Sequence, residues 1–186
     1  TLCETLFDPF VNCVGTPFQK FTISGNTEAT TRILLTGGWG GGRLSSSWVF
    51  PSSPGCPPPS LPSPRRHHVT FTTDSGLVAT CGGQDESGTP LSTCLVLEAG
   101  RWRPDPRVPD LPQPRYQATS VTVPGAGVFI MGGYGTETSS LLLTGGSWEE
   151  GPTLPGGGAN SACGVAWGGS VFILGGLADF NQVREY

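Results

Sequence analysis

The residues best suited to chemistry are six cysteines, two adjacent histidines and a set of acids that come after paired glycines. Cys3, Cys13, Cys56, Cys81, Cys94 and Cys163 contain no Cys-x2–4-Cys unit, and His67 and His68 stand side by side rather than three to five residues apart. Zinc sites are built from such paired ligands, so no metal centre is expected. The thiols are then either buried and free or joined as disulfides. Cys81/Cys94 and Cys3/Cys13 are each spaced like facing positions on the two arms of a hairpin. That spacing favours two disulfides and an oxidising compartment, and leaves Cys56 and Cys163 unassigned.

Neighbouring residues on a strand point to opposite faces, so His67 and His68 are poorly placed to share one metal; one packed and one solvated is the simpler reading. Asp85, Glu86, Glu137 and Asp179 each come shortly after a Gly-Gly pair. Two carboxylates can flank a glycosidic bond as acid and base, but nothing in the spacing sets their separation, and solvated loop charges explain them as well. The run Gly-Gly-Trp-Gly-Gly-Gly at 37–42 invites comparison with a phosphate cradle. A cradle needs a helix directly after it, and the next residues, Arg-Leu-Ser-Ser-Ser-Trp-Val-Phe, read as a strand.

The elements that position these residues come from a repeat. Four short hydrophobic runs end in double glycines at Gly37, Gly82, Gly132 and Gly175, separated by 45, 50 and 43 residues. Leu-Pro pairs begin at Leu61, Leu111 and Leu154, each 21 residues before its double glycine, and Thr16-Pro17 holds the same place in the first unit. Three residues after the proline stand Lys20, Arg65 and Arg115, with Gly158 breaking the series. Such a period, filled with strand-like runs, marks a propeller of β-sheet blades rather than a helical solenoid. Each unit reads as four strands: one after the proline, one ending in Gly-Gly, one after a polar loop, and one at Trp102 or Trp148, where Cys13 and Cys56 take the tryptophan's place. The Asp-Ser-Gly, Gly-Ala-Gly and Gly-Gly-Ser turns between strands one and two suit hairpins.

Bulk properties agree. The apolar fraction of 36% argues against disorder. A formal charge of −4, without a basic block, gives no footprint for nucleic acid or anionic lipid. No apolar run approaches the ~18 residues that span a bilayer, so no membrane insertion is expected. The one methionine is Met131, so the sequence reads as a processed or excised piece.

The double glycines, the tryptophans and the proline-then-arginine entry together resemble kelch repeats, over nearly the whole chain. The tyrosine of that pattern is mostly replaced (Phe7, Phe50, Leu97, Leu143), with Tyr186 the one match. The cysteine-bearing segments, Cys56-x4-Leu-Pro with Arg65-Arg66-His67-His68 and Thr80-Cys81-Gly-Gly before Cys94, resemble the secreted kelch proteins of invertebrates. The resemblance implies an all-β propeller region over 1–186: the end of a preceding blade at 1–15, blades at 16–60, 61–110 and 111–153, and a partial blade at 154–186. It implies an incomplete ring, forming an open arc, and a secreted protein that binds a protein partner or a neighbouring subunit, with a glycan as the alternative ligand.

Kelch domains bind through the loops joining strands two to three and strand four to the next strand one. Carried onto this chain, those loops hold Trp39, Arg43, Arg65, Arg66, His67, Asp85, Glu86, Arg115, Tyr116, Tyr134, Glu137, Asp179 and Phe180. Against this stands the reading in which the arginines brace the blades and Trp39 packs under its glycine loop. Some kelch propellers are copper oxidases or act on carbohydrate. Such a site would draw on the histidines with Tyr116 and Tyr134, but no cysteine is tied to either tyrosine. No catalytic residue and no cofactor are therefore assigned, and a binding module rather than an enzyme is expected.

Overall fold

Strands form where β-branched and aromatic residues run for four or five positions and end at glycine or a turn. In the computed structural model, residues 33–39, 44–50, 58–176 and 183–185 are described. They contain thirteen strands and no helix. Two complete sheets occupy the centre. The second blade is β3 (Val69–Thr72), β4 (Val78–Cys81), β5 (Cys94–Glu98) and β6 (Arg101–Arg103); the third is β7 (Thr119–Val123), β8 (Gly127–Met131), β9 (Ser140–Thr144) and β10 (Ser147–Glu150). Both are antiparallel meanders in chain order. Before them lies the pair β1 (Ile33–Thr36) and β2 (Ser47–Phe50) of the first blade. After them comes β11 (Cys163–Trp167), β12 (Ser170–Leu174) and β13 (Val183–Glu185) of the fourth.

The sheets stack as blades. Their first strands contact one another in sequence, β3 with β7 and β7 with β11, so these strands share the inner side of the arc. Each central sheet is buried on both faces because it is covered on both. One face of the second blade puts Val78 and Trp102 against Leu34 and Leu61. The other packs Val69, Phe71, Ala79 and Val96 against Val128, Ile130, Leu141 and Leu143 of the third blade. The far face of the third blade sets Val121 and Met131 against Ala162, Val171 and Ile173. The two tryptophans of the fourth strands work alike: the indole N–H of Trp102 donates to the Pro59 carbonyl (3.0 Å), and that of Trp148 to the Pro109 carbonyl (2.7 Å). Each ring so pins the outer strand to the linker that enters its own blade. Phe71 meets Trp148 edge-on at 6.4 Å.

The glycine-rich run at 37–42 leads to strand β2, as expected of a blade and not of a phosphate cradle. The first glycine of the pairs at Gly37, Gly82 and Gly132 is required by the neighbouring blade. A Cβ at Gly82 would collide with the Arg115 carbonyl oxygen, and one at Gly132 with that of Ala159. Both also hold positive φ, which glycine adopts without strain.

Cys81 and Cys94 are directly paired across β4–β5 and form a disulfide with Cα atoms 4.1 Å apart. Cys163 is disulfide-bonded as well. Strand one begins slightly later than the sequence suggests, at Val69, Thr119 and Cys163, because His67, Gln117 and Ser161 turn into positive φ just before it. The expected Cys3–Cys13 pairing, the blade end at 1–15 and strand one of the first blade lie outside the described residues.

Candidate binding face

Among the described residues, the segments that follow the double glycines at Gly37, Gly82 and Gly132 are joined by backbone hydrogen bonds to the segments that enter the blades, on one side of the arc. The second glycine of a pair donates to the entry segment of the next blade: Gly38 to Arg65 (2.9 Å), Gly83 to Arg115 (2.7 Å) and Gly133 to Ala159 (2.6 Å). Within a blade the residue after the glycines meets the residue after the arginine. Gln84 donates to Arg66 (2.8 Å) and Tyr134 to Tyr116 (3.0 Å). A third set runs from blade to blade, with Gln117 N–H on the His67 carbonyl (3.0 Å) and Ser161 N–H on that of Gln117 (2.8 Å). His67, Gln117 and Ser161, at φ of 55°, 59° and 55°, thus form a linked row of left-handed residues at corresponding positions of three blades. Non-glycine residues in that region carry strain and persist only where their surroundings hold them.

On this frame sits an aromatic and cationic surface. The Arg66 guanidinium lies 5.3 Å from the centre of the Trp39 ring, and Tyr116 stacks on Tyr134 at 5.3 Å and 25°. Trp39 is 57% exposed and Tyr134 59%, so each ring contacts a neighbour yet presents most of its surface to solvent. Trp39 is therefore not packed beneath its glycine loop. Burial, with smaller contributions from Tyr134 and Glu137, raises the Tyr116 hydroxyl pKa.

Arg65 and Arg115 are a correction to the carried-over binding set. They are 3% and 2% exposed and cannot meet a partner. Arg65 donates from Nη1 to the Gly82 and Thr93 carbonyls (3.0 and 2.8 Å) and from Nη2 to Thr93 Oγ1 (2.9 Å). Arg115 repeats this on Gly132 (2.8 Å), Ser139 O (3.3 Å) and Ser139 Oγ (2.7 Å). The side chain ties the entry segment to its own blade while the backbone carbonyl takes the preceding blade's glycine N–H. This is the bracing alternative, and it uses the rigid donor fork of arginine.

The acids of the loops are engaged locally. Asp85 Oδ1 accepts from Ser87 N (2.9 Å), Ser87 Oγ (2.8 Å) and Thr89 N (2.9 Å), which lowers its pKa and closes its loop. Glu137 Oε1 accepts from Gly135 N (2.8 Å), and its pKa is likewise lowered by backbone N–H groups. Glu86 is exposed. Arg43, Asp179 and Phe180 lie outside the described residues. The histidines divide: His67 carries the strained backbone, while His68 is buried with Nε2 2.8 Å from Thr36 Oγ1. Burial, with help from Arg65, pushes the His68 pKa down to about 3, so the ring is neutral at physiological pH. Among the described residues no three His, Cys, Asp or Glu side chains are grouped to hold a metal.

Sequence reasoning did not single out Gln117 or Ser161, whose signal was only their place in the repeat. It also did not foresee the buried chain of hydroxyls that continues from His68 through Thr36 and Thr70 to Thr80.

This geometry has a counterpart among known proteins, though a distant one. No protein-family model matches the chain, and no curated protein does. Among solved structures it is similar to that of YjhT, with a TM-score of 0.58 at 15% sequence identity, over 78% of this chain and 56% of that one. The chain thus spans little more than half the length of that protein. At such identity the likeness concerns the fold alone.

Proposed function

We propose that the chain is an extracellular recognition module whose loop face binds another protein or a neighbouring subunit. The observation that carries this reading is the division of labour among residues of the same types. Trp102 and Trp148 cover the blade junctions and Arg65 and Arg115 are buried braces, whereas Trp39 with Arg66 and Tyr116 with Tyr134 form two pairs at the loop face, where Trp39 and Tyr134 present most of their surface to solvent. Tyrosine, tryptophan and arginine are the types that dominate binding energy at protein interfaces. A row of strained backbone beneath them supplies rigidity. The disulfide at Cys81–Cys94 supports an oxidising, extracellular setting.

The test is cross-linking of the protein in its native secretions, then mass spectrometry, with Tyr134→Ala and Trp39→Ala compared with Glu150→Ala on the outer strand. The reading expects a partner to be lost with the first two and kept with the third. Equal capture by all three would sink it. A glycan array run on the same variants separates a carbohydrate ligand from a protein one.

A further inference from the structure

The third blade holds a cleft of about 380 Å³, a volume in the range of small-ligand sites. Its lining includes Gln113 from the entry segment, Thr138 just before β9, Trp148, Glu149 and Glu150 on β10, and Thr153 in the exit linker. None of Trp39, Arg66, Tyr116 and Tyr134 takes part. Gln113, Thr138 and Thr153 are exposed and offer an amide and two hydroxyls. Arg115 and Ser140 complete the lining, and both are buried.

The second blade has a carboxylate of its own at the corresponding place. Ser140 and Cys94 are equivalent, since they pair with Met131 and Cys81 at the ends of β8 and β4. Thr153 and Asp110 are equivalent too: each precedes the leucine of a Leu-Pro pair, and those leucines donate to the Thr138 and Ser92 carbonyls (both 2.8 Å). Asp110 Oδ1 accepts from Cys94 N (2.8 Å). Its charge reaches the buried Arg65: burial lowers the pKa of that guanidinium, and Asp110 opposes the shift.

In the third blade Thr153 brings no charge. Burial lowers the Arg115 pKa as well, and among the described residues no acid opposes it, so Glu149 and Glu150 do not take Asp110's part. The cleft is therefore two-ended, with an uncompensated buried cation at one end and two exposed carboxylates at the other. Less chain is available to fill it, because Trp148 stands six residues before Leu154 whereas Trp102 stands nine before Leu111. Arg115 acts through its field alone, since its terminal nitrogens are taken by Gly132 and Ser139.

We propose that this cleft binds a ligand bearing both a carboxylate and a cationic group, the chemistry of a basic amino acid, free or at a chain end. The carboxylate takes the place that Asp110 fills in the second blade, beside Thr153 and within the field of Arg115. The cation lies toward Glu149 and Glu150, and the apolar stem between the two charges runs along the half-buried Trp148 ring.

The experiment is a titration of the isotope-labelled full chain with lysine, followed by magnetic resonance at the Trp148 indole N–H and the amides of 138–141. Saturable shifts are expected there. Lysinamide, which lacks the carboxylate, and hexanoate, which lacks the ammonium, should each bind roughly ten-fold or more weakly. Thr153→Asp gives the third blade its own carboxylate and should abolish the shifts, whereas the uncharged Thr153→Asn should keep them. Thr153 is exposed, so both variants should fold. No saturable shift with lysine, lysinamide binding as tightly as lysine, or loss of binding in Thr153→Asn as in Thr153→Asp overturns the proposal. A peptide ending in a lysine with a free carboxylate assigns the source: tighter binding than lysine points to a chain end, and weaker binding to the free amino acid.

Discussion

Among the described residues the second and third blades are the two four-stranded sheets, and they differ chiefly where they are exposed. Both pin their outer strand with a tryptophan N–H to a proline carbonyl, and both lock their entry with a buried arginine on a glycine carbonyl and a Thr or Ser. On the face toward the next blade, the second carries a disulfide where the third carries Met131 and Ser140. At the entry to strand one, the second has His68 where the third has Ala118. On the loop face, Gln84 and Asp85 in one correspond to Tyr134 and Gly135 in the other. A common skeleton thus supports two different surfaces, and stability and recognition are carried by separable residues.

The largest effect should come from the shared skeleton. Trp102→Ala should cost about 3–5 kcal/mol, and Trp148→Ala somewhat less because its ring is only half-buried. Denaturant melts check this, and a neutral Trp102→Ala would dissolve the equivalence of the two blades. Next in size, Arg65→Ala and Arg115→Ala should each cost roughly 2–3 kcal/mol by stranding buried carbonyls. Lysine should rescue neither, since it lacks the fork that reaches three acceptors. A clear difference between the two arginines would show that the blades are not braced alike.

The differences between blades give smaller and more local effects. Replacing Cys81 and Cys94 by serine should remove about 2–3 kcal/mol, from a link that spans 13 residues. Hydrogen exchange should then accelerate in β4 and β5 well before β8 and β9. His68 should make the second blade acid-sensitive. Its folded pKa of about 3 lies below its unfolded 6.5, so the unfolded chain binds the extra proton. Its stability contribution is therefore complete above about pH 6.5 and is lost as pH falls toward 3, by up to ~1.4 kcal/mol per pH unit. Thermal melts from pH 7.5 to 4.5 should show this slope, and His68→Asn should flatten it while the acids that stay ionised in the fold, such as Asp85, keep a residual part. Smallest of all, Tyr134→Ala should move stability by no more than ~0.5 kcal/mol. It should act on partner binding instead, and a large loss of stability there would break the separation between skeleton and surface.

The repeat was legible because its markers are backbone requirements. Gly82 and Gly132 must be glycine where the next blade's carbonyl approaches, and the constant distance from each Leu-Pro sets the strand register without reference to side chains. The Cys81–Cys94 bond came from the same register, since facing positions on adjacent strands lie within disulfide reach. What spacing does not carry is the direction of a long side chain. Arg65 and Arg66 are adjacent and identical in type; one is sealed in its blade and the other lies over Trp39. His67 and His68 divide in the same way, into a strained loop position and a buried, neutral ring.

The blades, their strands and one disulfide are written into the chain, because they depend on local conformational needs that recur every 43 to 50 residues. Which arginines and aromatics brace and which are displayed was settled by the packing of the sheets. That choice depends on the carbonyls and rings that neighbouring strands bring within hydrogen-bonding or stacking distance, and no local stretch of sequence contains them.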